Sequence, residues 1–333
     1  MHIFITGVAG FLGSHLAKFY LEKEFKVSGN DTLVGGYKDN IDTRVKFYNT
    51  PCEDFYKMKE ITKGCDVVIH CAAFAHEGLS VFSPNLICSN IINASTSVFS
   101  AAIENKVKRI VHCSSMARYG KITPPFKESD TPNPVDPYGI AKLASEKILQ
   151  NLCELHNVEY NIAVPHNIIG PNQRYDDPFR NVASIMINLM LQDRKPIIYG
   201  DGNQKRSFSD VRECVQCIDR LALDKNVKGE IVNIGPEGNY VSINDLFKTI
   251  SNKLKFNKEP IYFPDRPKEV KYSNCSQEKA EKLLGYKNIY TLDESINEII
   301  LYIKKRGTRK FLYSYDLEIN NEHTPKTWKD KIF

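Results

Sequence analysis

Tyr138 and Lys142 stand four residues apart in Tyr138-Gly139-Ile140-Ala141-Lys142, so on a helix they share one face. A lysine ammonium beside a phenol favours the phenolate and lowers its pKa, which makes a base usable near neutral pH. Such a pair also recurs on ordinary helices. Here it follows a glycine-rich opening, Gly7-Val8-Ala9-Gly10-Phe11-Leu12-Gly13, and a serine pair, Ser114-Ser115. That order of a phosphate-tolerant turn, a hydroxyl and a tyrosine–lysine pair points to redox chemistry with a nucleotide cofactor.

Gly7, Gly10 and Gly13 fall between a strand pattern and a helix pattern. Glycines there allow a tight turn and close approach of a pyrophosphate, and the helix N-terminus offers free N–H groups. The spacing G-x-x-G-x-x-G departs from the commoner G-x-G-x-x-G. Asp31 ends the second apolar run, where a carboxylate would accept two ribose hydroxyls and repel a 2′-phosphate. NAD is therefore expected over NADP, against which stand Lys38 and Arg44, close enough in sequence to receive a 2′-phosphate.

These groups need elements to hold them. Strands are expected at 3–6, 26–30, 66–71, 109–114 and 159–164, with helices at 13–23, 90–106 and 138–156. Strands alternating with helices imply an α/β fold with a parallel, doubly wound sheet. After Pro171 the chain becomes irregular and polar, with helices expected near 182–192, 213–223, 243–253 and 277–284 and a segment returning to the sheet around 230–234. The expected division is a cofactor-binding unit of 1–165 with a returning segment at 207–235, and a smaller substrate-facing α/β region of 166–206 and 236–333. Its basic tail from Lys304 holds the single tryptophan, Trp328, and is expected to pack back on the domain.

The 333 residues are 42% hydrophobic and 26% charged, as in soluble globular proteins. A net charge of +5 gives little reason to expect nucleic acid. The chain starts in an apolar strand without a leader pattern, and no apolar stretch reads as long enough to cross a bilayer, so no membrane partner is expected. Nine cysteines without regular spacing read as reduced thiols of a cytoplasmic protein. Cys214-Val215-Gln216-Cys217 lacks a second ligand pair, and His70 and His76 lack an acidic ligand pattern, so no metal site is expected.

Thr6–Gly13, Ser114-Ser115-Met116-Ala117-Arg118-Tyr119-Gly120 and Pro137-Tyr138-Gly139-Ile140-Ala141-Lys142 resemble the extended short-chain dehydrogenases/reductases. Asn167-Ile168-Ile169-Gly170-Pro171, Tyr199-Gly200-Asp201-Gly202 with Arg206, and Arg266 with Glu269 extend the likeness to about residues 1–290. Within that group the chain is most similar to the nucleotide-sugar 4-epimerases of the UDP-glucose/UDP-galactose and UDP-N-acetylglucosamine type. The resemblance implies a Rossmann-type sheet, NAD as cofactor, a UDP-sugar as substrate and a homodimer built on the helices near 90–106 and 138–156. It implies Ser115, Tyr138 and Lys142 as catalytic residues. Around NAD it implies Gly7, Gly10, Phe11, Leu12, Gly13, Asp31, Asp54, Ala72, Ala73, Asn90, Ser114, Tyr138, Lys142 and Pro165. Around the substrate it implies Ser115, Tyr138, Asn167, Asn181, Val182, Tyr199 against the base, Arg206 and Arg266 on the two phosphates, Glu269 and Ser273.

The chain departs from the family pattern in three places. Met116 and Ala117 replace the Asp-Glu pair of the dehydratases, so neither dehydration nor decarboxylation is expected. Val164 and His166 replace an arginine and an aromatic, and Arg206-Ser207-Phe208 replaces Arg-Asp-Phe. The resemblance also places Ser273, seven residues after Arg266, against the sugar's 2-substituent. A serine there would leave space for an N-acetyl group, so interconversion of UDP-N-acetylglucosamine and UDP-N-acetylgalactosamine is expected, beside the plain hexose pair. A one-residue shift would bring Tyr272 or Asn274 to that place, and the plain alternative is an exposed turn serine. The same core would also serve a nucleotide-sugar 4-dehydrogenase or 4-ketoreductase, or, without catalysis, a dinucleotide-binding regulator.

Overall fold

The structure, a computed structural model, describes residues 1–238 and 240–333. Short β-branched runs form β1 (His2–Thr6), β2 (Lys26–Asn30), β3 (Lys46–Tyr48), β4 (Val67–His70), β5 (Arg109–Cys113) and β6 (Glu159–Pro165). Helices α1 (Phe11–Glu22), α2 (Phe55–Ile61), α3 (Glu77–Ser80), α4 (Pro84–Glu104) and α5 (Pro137–His156) alternate with them. Then follow β7 (Ile168–Ile169), α6 (Val182–Leu191), β8 (Ile197–Tyr199), β9 (Lys205–Arg206), β10 (Ser209–Asp210), α7 (Val211–Leu223) and β11 (Glu230–Ile234). The remainder holds β12 (Val241–Ser242), α8 (Ile243–Leu254), β13 (Ile261–Phe263), β14 (Tyr272–Ser273), α9 (Glu278–Leu284), α10 (Leu292–Arg306) and α11 (Lys326–Lys329).

Seven parallel strands make one sheet in the order β11-β6-β5-β4-β1-β2-β3. This is a doubly wound α/β fold of Rossmann type. β4 and β5 are buried along their whole length, as expected for a parallel sheet covered on both faces. One apolar core, with Leu16, Tyr20, Ile218 and Leu221, lies on the α1–α7 face. A second, with Met58, Val98, Phe99 and Leu149, lies on the α2–α4–α5 face. The order reverses at β1, whose neighbours β2 and β4 lead to opposite sides. A doubly wound sheet opens a crevice at such a switch point, beyond the C-terminal strand ends.

The helix that carries the tyrosine–lysine pair is defined locally. The Asp136 side chain accepts a hydrogen bond from Gly139 N at the N-cap, Pro137 takes the first helical position, and Asn157 ends the helix at φ 54°. A third core, with Ile187, Ile198, Leu246, Ile250 and Ile299, joins α6, α8 and α10 in the C-terminal half. α10 lies inside and before the segment read as a basic tail. Its start is a capping box between Thr291 and Glu294, and Ile296, Ile299, Ile300 and Ile303 bury one face.

One expectation needs correcting. α4 has 21 residues, and its most apolar 18-residue window has a mean hydropathy of 1.4, so it is long and apolar enough to cross a membrane by length and composition. Asn85, Ser89, Asn90 and Asn93 interrupt its apolar run, which hides that average in the sequence. Half of its apolar window is buried in the fold, against α2 and α5.

Candidate active site

A cavity of about 480 Å³ opens at the switch point, within the size range of sites that enclose organic ligands. It runs from the glycine turn and Asp31, past Ala72, Ala73, Asn90, Ser114, Ser115, Tyr138, Lys142 and Pro165, to Asn167, Asn181, Val182, Tyr199, Arg206, Arg266 and Glu269. Residues from more than 250 positions apart in the chain thus face one space.

At one end, Gly7 adopts φ 69° and packs so closely on Ala72 that a Cβ would lie 3.0 Å from its Cα. A Cβ on Gly13 would lie 2.2 Å from the Gly7 carbonyl oxygen, so only glycine lets α1 start against the turn. α1 has no side-chain cap and no acidic residue in its first turn. Its positive end therefore faces the cavity at Gly10, Phe11, Leu12 and Gly13. Asp31 accepts hydrogen bonds from Ala9 N (3.0 Å) and Leu33 N (2.7 Å). Burial raises its pKa, and these two bonds work against that rise. On the facing wall Asn90 accepts from Phe74 N and donates to Glu53, at 2.9 and 2.8 Å.

In the middle, Tyr138 and Lys142 are both buried on the cavity face of α5. Lys142 Nζ donates to the Cys113 carbonyl at 2.8 Å. Burial lowers Lys142 to about 8. Burial also pushes the Tyr138 phenol well above its ordinary value, and the neighbouring Ser115 hydroxyl pulls it back. The expected depression of the phenol by the lysine is thus corrected. Desolvation dominates both groups, and Ser115 is the neighbour that favours the phenolate most.

At the far end Arg206 and Arg266 share Glu269, with Arg266 at 3.0 Å and Arg206 at 3.5 Å. The Arg266 guanidinium lies 4.8 Å from the Tyr199 ring centre. The tail folds back here. Trp328 is buried among Phe82, Ile87 and Phe179, the Tyr199 hydroxyl meets Thr327 Oγ1 at 2.5 Å, and Phe333 lines the cavity.

The sequence profile of the NAD dependent epimerase/dehydratase family matches residues 3–235. The chain belongs to that family. It is 34% identical over 310 residues to the putative UDP-glucose 4-epimerase of Methanocaldococcus jannaschii, a match covering 92% of this chain and 99% of the relative. The UDP-glucose 4-epimerase of Thermotoga maritima, solved with UDP-glucose, is 30% identical with a TM-score of 0.86, covering 92% of this chain and 99% of that one. The UDP-glucuronic acid 4-epimerase of Bacillus cereus, solved with UDP-glucuronic acid and NAD, is 27% identical with a TM-score of 0.85, covering 92% and 100%.

The residues of this epimerase/dehydratase family member fit NAD. The uncapped helix start suits its pyrophosphate, and the Asp31 carboxylate suits a ribose diol. Lys38 is exposed, and Arg44 is occupied on the surface by Asp42 at 2.7 Å, so neither side chain lines the cavity. Protein denatured after purification should therefore release NAD, and nucleotide analysis of the supernatant is the check. NADP as the released species would overturn the Asp31 argument.

Two expected site residues stand elsewhere. Asp54 caps α2, accepting from Lys57 N at 3.0 Å, and does not line the cavity; its neighbours Cys52 and Glu53 do. Ser273 is fully buried in β14, beside Arg206 in the strand register. Its hydroxyl donates to Met116 Sδ at 2.9 Å, so Met116 stands on the cavity wall and Ser273 behind it. Of the shifted alternatives, Tyr272 is exposed, and Asn274 is buried against the Tyr240 hydroxyl; neither lines the cavity. The inference from Ser273 to N-acetylated sugars is withdrawn with its geometry.

Sequence reasoning also missed Glu77, Asp136, Arg174, Phe179 and Arg180, which line the cavity. Asp136 carried a signal, a helix-capping type directly before Pro137-Tyr138. Glu77 carried none.

Proposed function

We propose that this protein is an NAD-dependent UDP-sugar 4-epimerase, acting on a UDP-hexose or UDP-N-acetylhexosamine. The observation that carries the reading is the order of groups along one cavity. Ser115, Tyr138 and Lys142 stand between the glycine turn with Asp31 and the Arg206–Arg266 pair. NAD is placed at the first end and the sugar diphosphate at the second, so that the sugar meets Tyr138. The proposed division of labour gives the dinucleotide to residues 1–165 with 207–235, and the nucleotide sugar to 166–206 and 236–333.

Bound NAD supplies the oxidising and reducing equivalents at C4. In the proposed mechanism Tyr138, as phenolate, takes the proton of the C4 hydroxyl as C4 is oxidised. Ser115, on the same cavity wall as Tyr138, holds the same oxygen and offsets part of the burial penalty on the phenolate. Two guanidinium forks match a diphosphate, and Arg206 and Arg266 keep it fixed while the sugar turns its other face. Tyr138 then returns the proton, and C4 is inverted. Met116 and Ala117, at the two positions after Ser115, carry no acid or base for the elimination chemistry of the dehydratases.

The test is an NMR spectrum of purified protein with UDP-glucose or UDP-N-acetylglucosamine and no added cofactor. Appearance of the galacto epimer supports the reading. Turnover only with added NAD, with oxidised sugar accumulating, would make it a net oxidoreductase. Binding of NAD with no turnover would make it a regulator.

We also place it in the cytoplasm, in keeping with nine free thiols, and as a homodimer. α5 leaves Ile140 and Leu155 exposed at 54% and 70%, and a second copy of α4 and α5 would cover such side chains. Light scattering at micromolar concentration should give twice the mass of one 38.0 kDa chain, whereas a monomer mass would exclude the dimer.

A further inference from the structure

The stretch of cavity between Tyr138 and the arginine pair holds two carboxyl groups that the reaction above does not use. Glu77 opens α3 and lines the cavity, and among the described residues its carboxylate has no hydrogen bond or ion pair. Asp136 is 2% exposed. Its Oδ1 caps α5 through Gly139 N at 2.8 Å and lies 3.5 Å from the Ser80 hydroxyl. Its Oδ2 is buried without a partner, in a residue that lines the same cavity. Ser80 also donates to the Glu77 carbonyl within α3, which holds its hydroxyl at the start of α5 near Asp136.

Glu77 lines the same cavity as Tyr138, Arg206 and Arg266. Its charge raises the Tyr138 phenol and is felt by both arginines. Burial first, and the Asp136 carboxyl second, raise Glu77 itself, and the arginines offset only part of this. Each arginine already faces Glu269. A bound diphosphate would add two more negative groups there and leave Glu77 no cation of its own. The half-buried Glu77 carboxylate and the buried, unpartnered Asp136 Oδ2 need hydrogen-bond donors, and sugar hydroxyls supply them.

Resting on the epimerase reading above, we propose that Glu77 and Asp136 form the sugar-selecting wall of this site. They accept hydrogen bonds from an uncharged hexose and reject a hexuronate, whose C6 carboxylate would meet them. Above the raised Glu77 value of about 7 the wall carries its charge, and like charges brought together in a partly dry site oppose binding strongly. The selection therefore lies on α3 and the α5 cap, away from the arginines that hold the nucleotide.

The test is calorimetric titration, at about pH 8.5 so that Glu77 is charged, of NAD-loaded protein with UDP, UDP-glucose and UDP-glucuronate, in a Tyr138→Phe background that slows turnover. UDP-glucose should bind on the order of 100-fold more tightly than UDP-glucuronate. Glu77→Gln, which keeps size and removes charge, should shrink that ratio about tenfold or more, chiefly by tightening UDP-glucuronate. Asp136→Asn, which retains a capping side chain, should move it in the same direction, with UDP affinity unchanged in both variants. If UDP binds but the two sugars bind alike, or the ratio survives both substitutions, the wall is overturned while the nucleotide-sugar reading stands. If UDP itself does not bind, both fall.

Discussion

Tyr138→Phe should lower kcat by roughly 10²–10⁴-fold, the usual cost of losing a positioned general base. The ring sits in an apolar setting with Leu79, Ile87 and Phe179, and losing one oxygen leaves that packing unchanged. Lys142 keeps its bond to the Cys113 carbonyl, so cofactor binding should survive. The loss should therefore appear in kcat, with the NAD content of the purified protein unaltered. Ser115→Ala should produce a smaller loss, because it removes the strongest influence favouring the phenolate and leaves the phenol itself. Near-normal turnover by Tyr138→Phe would show that another group moves the proton.

The second large effect is expected at Gly13. A Cβ there would meet backbone on every near side: the Gly7 carbonyl oxygen at 2.2 Å, the Gly7 carbonyl carbon at 2.8 Å and Val8 Cα at 3.0 Å. Backbone cannot swing aside as a side-chain tip does, so Gly13→Ala must shift the first turn of α1 away from β1. Overpacking of this kind typically costs about 1–3 kcal/mol. If that strain falls on the nucleotide-binding turn, NAD affinity should weaken about 5- to 150-fold. NAD titration of stripped protein, beside a thermal melt, measures both parts. Affinity within twofold of the parent at an unchanged melting temperature would show that the turn does not cradle the cofactor.

Much of this arrangement is legible in the sequence because it is local. Four-residue spacing sets Tyr138 and Lys142 on one helix face, and three glycines between a strand and a helix announce the turn. What fails is anything that depends on how separate segments meet. Asp54 has the right type and stands near the right place, but the chain leaves β3 so that Cys52 and Glu53 reach the cavity and Asp54 is left to cap α2. Ser273 was placed by counting from Arg266, yet pairing of β14 with β9 turns its side chain behind Met116. Glu77 shows the opposite error. One glutamate after Ala75-His76 carries no periodicity, and only the packing of α3 on α5 gives it a neighbourhood. The phenol–lysine electrostatics were read with the right residues and the wrong dominant force, since spacing says nothing of burial.

The sheet topology also bears on how the chain reaches its native state. β6 is completed by β11, with Glu230 opposite Asn161 and Ile234 opposite Pro165, so its outer edge waits for a segment 69 residues downstream. Asn161 then ties the joint, donating to the carbonyls of Leu221 and Val227 and accepting from Glu230 N. Before that joint closes, β6 presents Ile162 and Val164 on an open parallel edge, a template for pairing with another chain. Late, non-local pairing of parallel strands is slow. Refolding should therefore be limited by docking of the 207–235 segment, and its yield should fall as protein concentration rises.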